Sequence, residues 1–313
     1  MSAVDAGRPG RRRGADPTSG RPVCSWRLET PWTRRRVIAY AHQGGAWEAP
    51  SSTLYAIERA VEGGATGIEL DVHATADGHL VVCHDSTVDR TTGGSGAISE
   101  LSLEEVLLLD NAYRFTPGSD AAVGLPESSY PFRGRAPADH AFGVATLTEV
   151  LELLSAHPGV VLNLDIKATA PAVRPYEEAL ARVLAEHGRA DGVIVASFLD
   201  QATEAFSKLA PHVATSAGTL GVAEFWRALR EGVEPPAMRH VALQVPATRG
   251  DLVVVDEDFV EVAHAHGLAV HVWTVNDEQE MARLVELGVD GIITDIPSVL
   301  VALLDRMGVA WHP

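Results

Sequence analysis

Strand-length apolar runs recur along this chain, and nearly every one is followed by a stretch of helical spacing. Residues 36–42 (RVIAYAH), 66–73 (TGIELDVH), 160–167 (VVLNLDIK), 192–198 (GVIVASF), 212–217, 240–246, 269–275 (AVHVWTV) and 291–295 (GIITD) read as strands. Residues 54–62, 146–154, 176–186, 201–209, 224–230, 258–266, 278–287 and 298–306 read as helices, because their apolar residues return every three or four positions. A strand that alternates with a helix pairs in parallel with its successor, and about eight such units close into a (β/α)8 TIM barrel. One run breaks the rhythm. Residues 80–84 follow the second strand after only a turn, Ala76-Asp77-Gly78, too short for a helical crossover, and so form an antiparallel arm on that strand.

The expected division is a basic, disordered extension over 1–36 and a barrel over 37–313, with an insertion at about 90–142. The insertion is rich in Pro, Gly, Ser and Ala but carries Tyr113, Phe115, Tyr130, Phe132 and Phe142, which favours a partly ordered lid. A chain of 313 residues, 46% hydrophobic, buries a core of barrel size, and it has no apolar run of the roughly 20 residues that span a bilayer. Nine arginines against three acids give the first 36 residues a net charge of +6, which leaves −23 on the body of a chain whose total is −17. A body this acidic argues against a nucleic-acid enzyme. The basic stretch itself, broken by Gly and Pro and without aromatic spacing, reads better as a solvated extension than as a nucleic-acid or membrane contact. Cys24 and Cys83 are badly placed for a structural disulfide, and the expected location is cytoplasmic.

The chemistry gathers at strand ends. Alternation puts Glu69 and Asp71 on one face of the second strand and Asp165 and Lys167 on one face of the strand at 160–167. In a barrel those faces point inward at the rim where active sites form. Carboxylates crowded on an apolar strand lose hydration and repel, so three of them ask for a cation, and an all-oxygen set suits Mg²⁺ or Ca²⁺ better than Zn²⁺. Lys167 is one of two lysines in a chain with 23 arginines, a compact ammonium suited to a phosphate oxygen or to neutralising a neighbouring acid. His42 and His84 each end an apolar strand, and a pair of imidazoles beside a phosphate can act as base or nucleophile and as acid. Trp273 shares its inward face with His271 and reads as part core, part pocket wall.

These stretches resemble the glycerophosphodiester phosphodiesterase family. The similarity lies in AHQGGA (41–46), the long block GATGIELDVHATADGHLVVCHDSTVDRTTGGSG (64–96), LNLDIK (162–167), VWTVND (272–277) and GVDGIITDIP (288–297). The resemblance implies a TIM barrel with a small insertion after the arm. It also implies His42 and His84 as the catalytic pair, a divalent cation on Glu69, Asp71 and Asp165, and a phosphate contact from Lys167. The implied reaction is hydrolysis of a small-molecule glycerophosphodiester to glycerol 3-phosphate and an alcohol. The chain departs from the family's usual residues in three places. Gln43 stands where Arg is usual, Ser51-Ser52 where Glu-Asn is usual, and Asp165 where Glu is common. An uncharged Gln43 weakens the expected phosphate contact or signals another headgroup. A lysophospholipase D-like enzyme, its acyl chain covered by the aromatic insertion, is the neighbouring alternative. A non-catalytic barrel that binds a phosphodiester or a partner protein is the more distant one.

Overall fold

In the computed structural model, which describes residue 32, residues 37–167 and residues 176–309, eight parallel strands close on themselves. They are β1 (Ile38–His42), β2 (Gly67–Ala74), β4 (Val161–Ile166), β5 (Val193–Ala196), β6 (Ala214–Ala217), β7 (Ala242–Pro246), β10 (Ala269–Trp273) and β11 (Gly291–Thr294). The ring runs β1-β11-β10-β7-β6-β5-β4-β2, and β1 pairs with β2 to shut it. β3 (Leu80–Val82) lies outside the ring, antiparallel to the end of β2, with Val72 opposite Val82. Between β7 and the next helix a two-stranded hairpin, β8 (Thr248–Arg249) and β9 (Leu252–Val253), sits on the rim; its apolar pattern is too short to be read from sequence.

Local chemistry sets where the helices start. Thr53 caps α1 (Leu54–Glu62), its Oγ1 accepting from the Ala56 amide at 3.1 Å. Full capping boxes open α2 (Leu103–Leu107), through Ser102 and Glu105, and α3 (Leu147–Ser155), through Thr146 and Glu149. The remaining helices are α4 (Glu177–Glu186), α5 (Asp200–Leu209), α6 (Thr219–Glu231), α7 (Glu257–Ala265), α8 (Glu278–Leu287) and α9 (Pro297–Met307). α6 begins well before the expected residue 224. The Asp200 carboxylate of α5 accepts from the Leu220 and Gly221 amides at 2.9 Å each and caps the helix from outside.

Outward faces of the strands pack on the helices in two belts. Ile68, Leu70, Leu162, Leu164, Val193 and Val195 meet α1, α3, α4 and α5, while Leu243, Val245, Val270, Val272 and Ile292 meet α6 to α9. Ile38, Tyr40, Val161, Ile194, Ala242, Ala269 and Ile293 fill the barrel itself. Gly67 and Gly291 are needed there: a Cβ at Gly67 would stand 2.5 Å from the Tyr40 ring, and one at Gly291 2.9 Å from both Tyr40 and His271. Their missing side chains let Tyr40 and His271 cross the waist of the barrel with ring centroids 5.2 Å apart.

The expected boundary at residue 36 falls mostly outside the described residues, as does Cys24; Trp32 is described and is buried with the barrel-filling residues. The insertion folds onto α1. Tyr55 stacks on Phe142 at 4.6 Å, Phe142 meets Phe132 at 5.1 Å, and Phe132 meets Phe115 at 5.8 Å. Phe115, Tyr130 and Phe142 are buried, which corrects the expectation that these rings cover an acyl chain: they are spent on the insertion's own core.

Candidate active site

Strand register brings the acids together at the C-terminal mouth of the barrel. Asp71 of β2 stands opposite Asp165 of β4, and His42 of β1 opposite Glu69. All three carboxylates are buried. Lys167, just past β4, sets its Nζ 2.9 Å from Asp71 Oδ1 and 3.0 Å from Asp165 Oδ2. If all three carboxylates were ionised, one ammonium would leave two negative charges uncompensated. Burial and then the Asp71 charge push the Glu69 carboxyl up to about 8, and burial also raises Asp165. Burial opposes the charge on Lys167, but Asp71 and Asp165 outweigh it and raise its pKa further.

Among the described residues, Glu69 Oε2, Asp165 Oδ1 and Asp71 Oδ2 are buried without a hydrogen-bond donor. Carboxylate oxygens left without donors fit the donor chemistry of a hard divalent cation. In their present rotamers, no three His, Cys, Asp or Glu side chains among the described residues stand close enough to enclose one. The ammonium of Lys167 holds two of the three acids instead.

The two histidines face each other beside these acids, ring centroids 6.3 Å apart and nearly perpendicular. Each gives Nδ1 to an aspartate: His42 to Asp295 at 2.6 Å, His84 to Asp85 at 2.7 Å. That commitment fixes the ring plane, and it leaves His42 Nε2 3.7 Å from Glu69 Oε2. Asp295 follows β11, and its other oxygen accepts from the Asn276 amide at 2.6 Å, while Asn276 Oδ1 takes the Asp295 backbone N–H at 2.9 Å and the Thr294 hydroxyl at 3.0 Å. Burial alone would lower the His42 pKa; the Asp295 hydrogen bond and the charges of Glu69 and Asp71 outweigh it and lift it to about 9. His84 owes its place to the β2–β3 arm, since Cys83 N–H donates to the Asp71 carbonyl at 3.0 Å.

Gln43 lies against His42. It is buried, its Nε2 lies 3.1 Å from His42 Nε2, and its backbone takes a left-handed φ of 52°. Ser52, also at positive φ (58°), donates its amide to the Gln43 carbonyl at 2.8 Å, so the two departures from the family touch. Trp273 ends β10 half-buried, edge-on to Phe198 at 5.5 Å, and Phe198 in turn lies 5.4 Å from Lys167 Nζ. Sequence reasoning reached Asp295 as the end of the strand at 291–295 and gave no role to Asn276, Arg90 or Phe198, whose partners lie on other elements.

The model of the Glycerophosphoryl diester phosphodiesterase family matches residues 42–299, most of the chain. The chain belongs to that family. Among named relatives, the glycerophosphodiester phosphodiesterase of Caldanaerobacter subterraneus subsp. tengcongensis is 34% identical over 278 residues, 87% of this chain and 100% of the relative. Glycerophosphodiester phosphodiesterase 1 of Rattus norvegicus is 51% identical over a shorter stretch of 92 residues, 29% of this chain and 28% of the relative. The fold is shared with solved family structures. The glycerophosphoryl diester phosphodiesterase domain of a Mycobacterium tuberculosis protein superposes with a TM-score of 0.70 at 21% identity, covering 87% of this chain and 99% of that one. A phosphodiesterase from Oleispira antarctica, solved with the product sn-glycerol-3-phosphate, superposes with a TM-score of 0.65 at 24% identity, covering 85% and 96%. Membership of the family makes this chain a phosphoric diester hydrolase.

Proposed function

We propose that this chain hydrolyses glycerophosphodiesters to sn-glycerol 3-phosphate and an alcohol. His42 and His84 handle the protons, and Glu69, Asp71 and Asp165 hold a divalent cation, Mg²⁺ or Ca²⁺. The observation that carries this reading is the pair of aspartate-anchored imidazoles facing each other beside a cluster of three buried acids. One imidazole takes a proton from the attacking hydroxyl, of water or of the substrate's own glycerol, and the other gives one to the leaving alkoxide. Lys167 stays charged at neutral pH and supplies a cation for a phosphoryl oxygen. A bound divalent ion would polarise the phosphoryl group. Gln43 contacts His42 and brings no charge to the phosphate, so phosphate affinity rests on Lys167 and the ion.

A second reading, a lysophospholipid substrate, is favoured by the opposite rim rather than by the insertion. Phe198 and Leu199, between β5 and α5, and Leu220, in the first turn of α6, are exposed at 52%, 40% and 69%. Phe198 begins this apolar strip within reach of Lys167.

The test is a panel of glycerophosphodiesters and lysophospholipids with Mg²⁺, Ca²⁺ or a chelator, scored for glycerol 3-phosphate and lysophosphatidate. Metal-dependent glycerol 3-phosphate release is expected. Predominant lysophosphatidate would select the second reading, turnover unaffected by chelator would remove the cation, and no turnover of any substrate would favour a binding barrel. Gln43→Arg is expected to lower KM for the glycerol substrate.

A further inference from the structure

His84 sits on an arm outside the barrel ring, and its side chain is 40% exposed, so the barrel alone does not fix its imidazole. What fixes it is a relay of ion pairs reaching into the insertion. His84 Nδ1 meets Asp85 Oδ1 at 2.7 Å; Asp85 Oδ2 accepts from Arg90 Nε at 2.7 Å; Arg90 Nη1 donates to Asp120 Oδ2. Asp120 belongs to a tight loop at 116–122 that is stitched on both sides. Gly118 N–H donates to the Trp47 carbonyl at 2.8 Å, behind the His42–Gln43 turn, and Ser119 N–H to the Thr116 carbonyl at 3.1 Å. Ala122 N–H donates to the Arg114 carbonyl at 2.9 Å, and Arg114 N–H to the Thr91 carbonyl at 3.2 Å, next to Arg90. The loop therefore ties the turn carrying one histidine to the arm carrying the other.

We propose that Arg90 and Asp120 are positioning residues for the reaction: through Asp85 they hold the His84 imidazole in the plane that presents Nε2 to the substrate. This rests on the proposed proton-transfer role of His84. The guanidinium is suited to the task because its Nε and Nη1 donors point in fixed, different directions and so bridge two carboxylates rigidly. Burial pushes the Asp85 carboxyl up, yet the hydrogen bonds from His84 and Arg90 outweigh it and hold it below the usual range, so Asp85 stays anionic as the acceptor that Nδ1–H needs. The insertion is then part of the machinery that sets the histidine spacing, not a cover over it. A misplacement of about 1 Å at a reacting group costs on the order of 10²-fold in rate.

The experiment measures kcat and KM for glycerophosphocholine with wild-type protein and with Arg90→Gln, Asp120→Asn, His84→Ala and the Arg90→Gln/His84→Ala double variant, each checked by thermal melting. Nitrogen-15 spectra of the histidines accompany the kinetics. The expected result is a kcat about 10–100-fold lower in Arg90→Gln, KM within about twofold, and a smaller loss in Asp120→Asn. In the double variant the loss equals that of His84→Ala alone, because Arg90 has nothing left to position. The His84 Nδ1–H resonance broadens or shifts in Arg90→Gln. An unchanged kcat in Arg90→Gln, or losses that multiply in the double variant, would overturn the proposal. If wild-type protein turns over no substrate, the proposed reaction falls separately, and identical His84 resonances in wild type and Arg90→Gln would overturn the positioning role without reference to activity.

Discussion

Asp295 is the residue on which the state of His42 turns. Its hydrogen bond opposes the desolvation that would otherwise discharge the buried imidazole. Asp295→Asn is expected to bring the His42 pKa down from about 9 toward its ordinary value, followed by NMR titration of the metal-free protein. The same change is expected to lower kcat roughly 100-fold or more, since an amide neither selects the tautomer nor stabilises the imidazolium. Ser52 carries a smaller burden. Its left-handed φ of 58° suits Asn better than Ser. Ser52→Asn should raise the unfolding free energy by about 0.5–1 kcal/mol in chemical denaturation. At this scale the sequence was readable wherever alternation decides direction: Glu69, Asp71, Asp165 and Lys167 lie on the faces it assigned. Gln43 was not readable, because a left-handed turn rather than a strand decides where its side chain goes.

Helices whose caps lie within their own sequence, such as α1, α2 and α3, have starts that follow from a few adjacent residues. α6 does not, because its cap is Asp200 on the preceding helix. Asp200→Ala is expected to destabilise the protein by about 1 kcal/mol and to fray the first turn of α6, visible as faster amide exchange at Leu220 and Gly221. The β2–β3 arm shows how local structure serves the site. A three-residue strand paired at Val72, His73 and Ala74 returns the chain to the mouth, and His84 arrives there two residues later. The turn at Ala76-Asp77-Gly78 made that arm legible. The insertion was legible only as a long polar stretch with aromatics, since its contacts to Trp47 and Asp85 pair residues far apart in the chain.

Across the whole molecule the barrel separates two polar environments. At the mouth, acids and histidines carry charge and compensate one another. At the waist, His271 is fully buried with neither ring nitrogen hydrogen-bonded, and burial lowers its pKa to about 4. A base whose folded pKa is depressed contributes stability above its unfolded pKa and loses it on acidification. The protein should therefore lose up to about 3 kcal/mol as the pH falls from 6.5 toward 4, and His271→Gln should flatten that limb of the stability–pH curve in urea titrations. The eight-unit rhythm of strand and helix made the closed barrel legible from sequence, because parallel pairing leaves so short a menu. The most direct test of the proposed reaction is the rate of sn-glycerol 3-phosphate release from glycerophosphocholine by wild type, His42→Ala and His84→Ala at saturating Mg²⁺ or Ca²⁺. The reaction as proposed requires release by wild type and a loss of at least about 10²-fold in each variant. Wild-type rates in either variant would contradict the assignment of the two histidines.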